Sequence, residues 1–168
     1  VITTPRTFIA TTSAFVLLGA KPIFADVDID SGAITAETIE PLINDKTKAI
    51  SVVHLGGWPA EIEKIVKISK KYNIPLIEDC SQAHGAKINN SFVGNFGDIA
   101  TWSFCQDKII STGGEGGLVA TNRKDLWEKM WSLKDHGKNF FKTKQKYKGT
   151  SSRFVHDNLG TNFRLTEF

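Results

Sequence analysis

Hydrophobic positions along the chain follow two rhythms that alternate. Short apolar runs read as strands: Val1 to Thr3, Pro22 to Asp26, Lys48 to His54, Ile74 to Glu78, Ile99 to Phe104 and Leu118 to Thr121. The run Ala-Ile-Ser-Val-Val within 48–54 is continuous enough for a strand buried on both faces. Between the strands lie segments of helical period. Thr7 to Leu18 is an apolar helix stopped at Gly19. Thr35 to Ile43 starts on a good N-cap, but Thr38 stands where a capping box wants Glu. Pro59 to Tyr72 sets Ile62, Ile65, Val66 and Ile68 on one face and Lys64, Lys67, Lys70 and Lys71 on the other, with Pro59 suited to its first turn. Lys124 to Lys134 is a further helix, and Asn89-Asn90 is a turn between two short extended pieces. Strands alternating with helices at this spacing predict an α/β domain, with a mainly parallel sheet and helices on both faces.

Composition changes this picture little. The chain has 168 residues, is 40% hydrophobic and 23% charged, and carries a net charge of +3. That is an ordinary globular composition, and the charge is too mild to argue for nucleic acid. No apolar run is long enough to span a membrane, and no signal peptide is legible. Cys80 and Cys105 are too few for a disulfide framework or a zinc site; they read as reduced thiols of a cytoplasmic protein, with no metal centre. Residues 138–153, "KNFFKTKQKYKGTSSR", hold six basic residues and no acid. They read as a solvated loop, or alternatively as a phosphate-contacting flap. The chain opens on a strand and closes on Arg164 to Phe168, which looks like a helix beginning, so both ends suggest a truncated domain.

In parallel sheets ligands gather at the carboxyl ends of strands. Three polar clusters fall there: His54 to Gly57, Glu78 to Gly85, and Ser103 to Lys108. Asp79 could be no more than a helix N-cap, and Lys108 taken alone could be a surface lysine. Four glycines within residues 113–117 follow Lys108, and they match neither a P-loop nor a dinucleotide fingerprint. A carboxylate that keeps a ring nitrogen protonated, together with a lysine able to form a Schiff base, is the pair that pyridoxal phosphate requires. A desolvated pocket would favour the neutral, nucleophilic form of such a lysine.

The motifs "TFIATTSA", "GAKPIFADVD", "TKAISVVHLGG", "IEDCSQAHGA", "GNFGDIATWSF", "GGEGGLVATN" and "GTNFRLTE" follow in one order along nearly the whole chain. In that order and spacing the chain resembles the DegT/DnrJ/EryC1/StrS sugar aminotransferases, pyridoxal-phosphate enzymes of aspartate-aminotransferase fold type I. The resemblance implies that residues 1–168 are part of the cofactor-binding large domain, without its N-terminal segment and without the small C-terminal domain. It implies roles as well. Lys108 would form the Schiff base and move the proton. Asp79 would pair with the pyridine nitrogen, Gln82 with the phenolic oxygen, and Ser103 with the phosphate. Phe8 would stack on the ring. Asn162 would reach the phosphate of a neighbouring subunit's cofactor in a homodimer.

Family members that dehydrate sugars carry histidine at the lysine position, so Lys108 favours transamination. The implied reaction moves an amino group, with glutamate as donor, to a keto group of a nucleotide-linked deoxysugar. A dehydratase or a non-catalytic regulator of the same fold is the nearer alternative. A nucleotide-binding or structural α/β module is the remoter one. "TTPRTF" departs from the family's usual "PSFTF", which leaves Arg6 near the ring without an assigned role. A half-built site predicts that residues 1–168 alone are inactive and poorly soluble, with Phe15, Val16, Leu17 and Trp131 lacking partners.

Overall fold

The computed structural model describes residues 1–144 and 155–165. These fall into two compact units, residues 1–120 and residues 121–168. In the first unit the elements are β1 (Ile2–Thr3), α1 (Ile9–Leu17), β2 (Ile23–Phe24), α2 (Ala36–Ile39), β3 (Ile50–Val53), α3 (Ile62–Tyr72), β4 (Leu76–Asp79), β5 (Lys87–Ile88), β6 (Ser91–Phe92), β7 (Ile99–Ser103) and β8 (Gly117–Ala120). Six strands form one sheet in the order β2-β1-β3-β4-β7-β8. Every pairing in it is parallel except the last, in which β8 runs against β7.

The core follows from the sequence periods. β3 is buried along its whole length, Ser51 included, as expected of an apolar run in the middle of a parallel sheet. Ile62, Ile65 and Ile68 of α3 pack with Ile2, Ile50, Val52 and Leu76 of the sheet. Each such side chain contributes about 1.5–3 kcal/mol when fully buried. Asn73, left-handed at φ 52°, ends α3, and Lys70 and Lys71 occupy its last turn, where the helix dipole favours cations. α1 meets the opposite face of the sheet at Asp79 through Thr11.

Three local expectations need correction. α3 begins at Ile62, not at Pro59. The Ala60 amide is donated to the His54 ring and the Ile62 amide to the Ala60 carbonyl, so 59–61 is a lead-in and not a turn of helix. The helix read over 35–43 is shorter: α2 is followed by a 3-10 turn, Glu40–Leu42, because Pro41 has no amide to continue the α pattern. Its capping box is nevertheless complete. The Thr38 hydroxyl accepts the Thr35 amide at 3.1 Å, and the Thr38 amide reaches Thr35 Oγ1 at 3.3 Å. The Asn-Asn turn behaves as expected: Asn89 and Asn90 take φ 46° and 67° and join β5 to β6 as an antiparallel hairpin.

The second unit contains α4 (Lys124–Lys134) and α5 (Phe140–Lys144). The Phe140 ring stands edge-on to Trp127 and Trp131, with centroids 4.9 and 5.1 Å away. Trp131 is therefore packed, contrary to the expectation that it lacks a partner. α5 occupies part of the basic segment read as a loop, and Lys142 within it pairs with Asp157 at 2.9 Å. The rest of that segment, 145–154, and the end of the expected terminal helix, 166–168, lie outside the described residues; Arg164 and Leu165 are not helical.

β4 ends on adjacent carboxylates that the strand period sends to opposite faces. Glu78 is fully buried. It accepts four hydrogen bonds: from His54 Nε2 at 3.1 Å, Gly94 N at 2.8 Å, Phe96 N at 2.8 Å and Gly97 N at 2.6 Å. His54 Nδ1 accepts the Ala60 amide at 3.1 Å, so the ring proton sits on Nε2 and points at Glu78. Burial pushes the Glu78 carboxyl up, but the bonds from His54, Gly94 and Gly97 outweigh it and hold the pKa below the usual value. Gly97 is required for this approach: a Cβ there would stand 2.8 Å from the Leu76 carbonyl oxygen and 3.3 Å from Glu78 Oε1.

A group whose pKa is lowered by folding stabilises the fold above its unfolded value, near 4.3, and that contribution is lost as pH falls through the folded value. Glu78→Gln puts an NH2 where one oxygen now accepts two donors, and it is therefore expected to destabilise the protein by about 2–5 kcal/mol at neutral pH, the usual loss when buried donors are left without an acceptor. It is also expected to flatten the acid limb of the stability curve. Urea unfolding of both proteins between pH 7 and pH 3 checks this; parallel pH curves would show that Glu78 does not carry the linkage.

Candidate active site

A cavity of about 650 Å³ opens at the carboxyl ends of the strands. Its walls come from the loop after β1 and the start of α1, from Leu55 after β3, from Asp79 to Gln82 after β4, and from Ser103 to Lys108 after β7. Phe8, Asp79, Gln82, Ser103 and Lys108, singled out from the sequence, all line it. Asn162 belongs to the second unit, where it bridges Asp135 and its Oδ1 accepts Arg164 Nε at 2.9 Å.

Asp79 projects from β4 on the face opposite Glu78. Its Oδ1 accepts the Ser81 amide at 3.1 Å and its Oδ2 accepts the Thr11 hydroxyl at 2.8 Å. The Ser81 bond braces the loop after the strand; no helix follows there, so Asp79 is not the helix N-cap that the sequence allowed. Gln82 Oε1 accepts the Gly56 amide at 2.7 Å. That bond fixes the amide orientation and turns the NH2 end away as a donor. The two loops approach this closely because Gly57 has φ 81° and no Cβ, which would otherwise stand 2.9 Å from the Gln82 carbonyl oxygen.

The segment from Ser103 to Lys108 folds on itself. The Cys105 amide reaches Ser103 Oγ at 3.3 Å, and the Lys108 amide reaches the Cys105 carbonyl at 3.1 Å. This turn brings Lys108 to the cavity wall with its side chain only 18% exposed and Nζ 3.2 Å from Asp107. The Phe104 amide bonds the Gly116 carbonyl at 2.8 Å, tying the lysine turn to the glycine segment. Of those glycines, Gly113 is left-handed at φ 75°, and Gly117 leaves room for the Trp102 carbonyl. A backbone bond from Asp107 pulls the Cys105 thiol down, but the Asp107 side chain, burial and the Glu115 carboxylate together push it up. As a thiol it has one proton to donate, with Gln106 Oε1 at 3.3 Å and Glu115 Oε1 at 3.6 Å as its two acceptors within reach.

Phe8 sits at the lip, 72% exposed, and occupies the N-cap of α1 without any side-chain cap. Arg6, unassigned from the sequence, donates to the Gly32 carbonyl at 2.7 Å and so fastens the loop after β2. Sequence reasoning missed Thr11; its signal was the pair Thr7 and Thr11, four residues apart where α1 begins.

Two other places gather polar groups. A cavity of about 680 Å³ is lined by Asp28, Glu37, Trp58, Glu61, Glu63 and Lys64 among others. Its carboxylates are already engaged by protein groups: Glu61 and Glu37 by Lys64, Asp28 by Ser31, and Glu63 by Asn89. His54, Glu78 and Cys80 bring ligand-type atoms within 4.8 Å of one another. Both His54 nitrogens and both Glu78 oxygens are already engaged by protein groups, and burial, then the charges of Glu78 and Asp79, push the Cys80 thiol up, against the thiolate a metal needs. The cluster is a structural nexus. Among the described residues no helix is long and apolar enough to cross a membrane.

Known proteins share this arrangement of chain. GDP-perosamine synthase of Escherichia coli O157:H7 is 40% identical over 99% of this chain and 43% of its own. A UDP-N-acetyl-3-dehydro-alpha-D-glucosamine 3-aminotransferase of Acidithiobacillus ferrooxidans is 42% identical over 99% of this chain and 42% of its own. The X-ray structure of an aminotransferase from Psychrobacter cryohalolentis superposes with a TM-score of 0.93 at 50% identity, covering 98% of this chain and 42% of that one. The chain thus spans less than half the length of the relatives it matches. The model of the DegT/DnrJ/EryC1/StrS aminotransferase family matches residues 1–168, and the chain belongs to that family.

Proposed function

We propose that this chain is the cofactor-holding part of a pyridoxal-phosphate-dependent aminotransferase. It transfers an amino group, with glutamate as donor, to a keto group of a nucleotide-linked deoxysugar. One observation carries the reading: Lys108 and Asp79 line the same cavity at the carboxyl end of the sheet. The substrate class rests on relatives named for nucleotide-sugar chemistry. In this reading residues 1–168 are part of the large domain, and the protein works in the cytoplasm as a homodimer.

The residues present fit the cofactor in kind. Pyridoxal phosphate has a ring nitrogen, a phenolic oxygen, an aldehyde carbon, a phosphate and an aromatic face. The cavity offers a carboxylate, an amide whose NH2 end is set as the donor, an amine, a hydroxyl and a phenyl ring. The cofactor, when bound, supplies an electron sink for the carbon that loses or gains the amino group.

The chain's own residues do the rest. Asp79, an acceptor already steadied by Ser81 and Thr11, would hold a proton on the ring nitrogen. Gln82 would donate to the phenolic oxygen and Ser103 to the phosphate, while Phe8 would cover one ring face. Lys108 Nζ, on a turn braced from both ends, would hold the cofactor at its aldehyde carbon and, once an incoming substrate amine has displaced it there, would be free to take and return the substrate proton. Asn162 would serve the phosphate of the partner subunit's site, with its Oδ1 held by Arg164 and its amide N–H as donor.

In the full-length protein, Lys108→Ala is expected to lower turnover by several orders of magnitude with little change in fold. After borohydride treatment the unsubstituted protein should gain the mass of the reduced cofactor on Lys108 and the variant should not. Amino transfer by the variant at an undiminished rate would remove Lys108 from the chemistry. Asp79→Asn is expected to keep the cofactor but slow the half-reaction with glutamate at least a hundredfold, about 3 kcal/mol of lost transition-state stabilisation. Cofactor content measured beside that rate decides the point; an unchanged rate would leave Asp79 as a loop brace alone.

A further inference from the structure

We propose that Thr11 is a positioning residue of the amino-transfer site, acting through Asp79 with Thr7 behind it; the proposal rests on the cofactor reading above. Thr11 Oγ1 lies 2.8 Å from Asp79 Oδ2, and Thr7 Oγ1 lies 2.8 Å from Thr11 Oγ1. The direction of these bonds follows from proton counting. A carboxylate can only accept, so Thr11 spends its one hydroxyl proton on Asp79. Thr7 must then be the donor to Thr11. The result is a polarised relay, Thr7 to Thr11 to Asp79, in which each bond strengthens the next.

The local structure is bent to make this relay. Residues that cap helices well carry a side-chain oxygen, yet the N-cap of α1 is Phe8 and no side chain caps it. Thr7, one residue earlier, turns its hydroxyl to Thr11. The helix thus forgoes a cap, places Phe8 at the cavity lip and aims Thr11 at Asp79. Such a departure from a local rule marks a functional position.

The relay sets the geometry of the acid. With Ser81 N on Oδ1 and Thr11 on Oδ2, the Asp79 carboxylate is fixed in rotation, with two of its four lone-pair sites left for the cavity that it lines.

The test uses the full-length protein freed of cofactor. Thr11→Val removes the donor at nearly constant shape, and Thr11→Ser keeps it. Titration with pyridoxal phosphate, followed by visible absorbance and tryptophan fluorescence, is expected to show roughly tenfold weaker binding for the valine variant, the usual weight of a hydrogen bond to a charged group. Once loaded, its kcat is expected to fall about 10- to 100-fold with the KM for glutamate held, and serine is expected to recover most of both losses. Should the valine variant not fold, Thr11→Ala is read in the same way. Wild-type binding and kcat in the valine variant, or a serine variant as impaired as valine, would overturn the role of Thr11 while leaving the cofactor reading standing. An unsubstituted protein that binds no pyridoxal phosphate would overturn both.

Discussion

A carboxylate with no water around it must be surrounded by donors or not be charged at all, and Glu78 is surrounded. Its partners arrive from two directions: the His54 ring from the end of β3, and the amides of Gly94, Phe96 and Gly97 from the segment that leads into β7. One side chain therefore ties the ends of β3 and β4 to the segment that enters β7. The lining of the cavity inherits that arrangement. His54 starts the loop whose Gly56 orients Gln82, β7 delivers Ser103 and the lysine turn, and β4 itself delivers Asp79. The face carrying Glu78 is built for rigidity, and the period of the strand leaves the next carboxylate, on the opposite face, available for chemistry.

Much of this was legible in the sequence, and the parts that were not share a cause. α4 appears with the bounds its period predicts, and the buried strands, the Asn-Asn turn and the cavity residues from Phe8 to Lys108 fall where local pattern and motif order put them. The difference between Glu78 and Asp79 was not legible. The sequence reads them as neighbours in one polar cluster, whereas their roles depend on partners 16 to 68 residues away. The late start of α3 has the same origin, since the Ala60 amide is claimed by a histidine ring and not by the helix. Position-by-position propensity cannot see a distant side chain that takes a backbone donor.

α1 illustrates the opposite case, in which local apolarity overstates burial. None of its residues is buried, and Ile9, Val16 and Leu17 are exposed, while Phe15 is half-buried. The helix is held to the sheet at one end by polar bonds: Thr11 to Asp79, with the Leu18 and Gly19 amides closing its other end onto Phe15 and Val16. Its apolar residues form a surface of the kind that drives association. That agrees with the expectation for Val16 and Leu17.

The antiparallel pairing at the edge of the main sheet, β7 with β8, has a kinetic consequence. Every other pairing in the main sheet joins strands that run the same way, and such strands are connected only through crossovers; β1 meets β3 across residues 4–49. β7 meets β8 across residues 104–116, the stretch that contains Lys108 and the glycines. Closing the shorter loop sacrifices less chain entropy, and local pairings of this sort form faster than distant ones. The ribbon that bears the lysine can thus assemble as an early native piece, before the rest of the sheet supplies the walls around it.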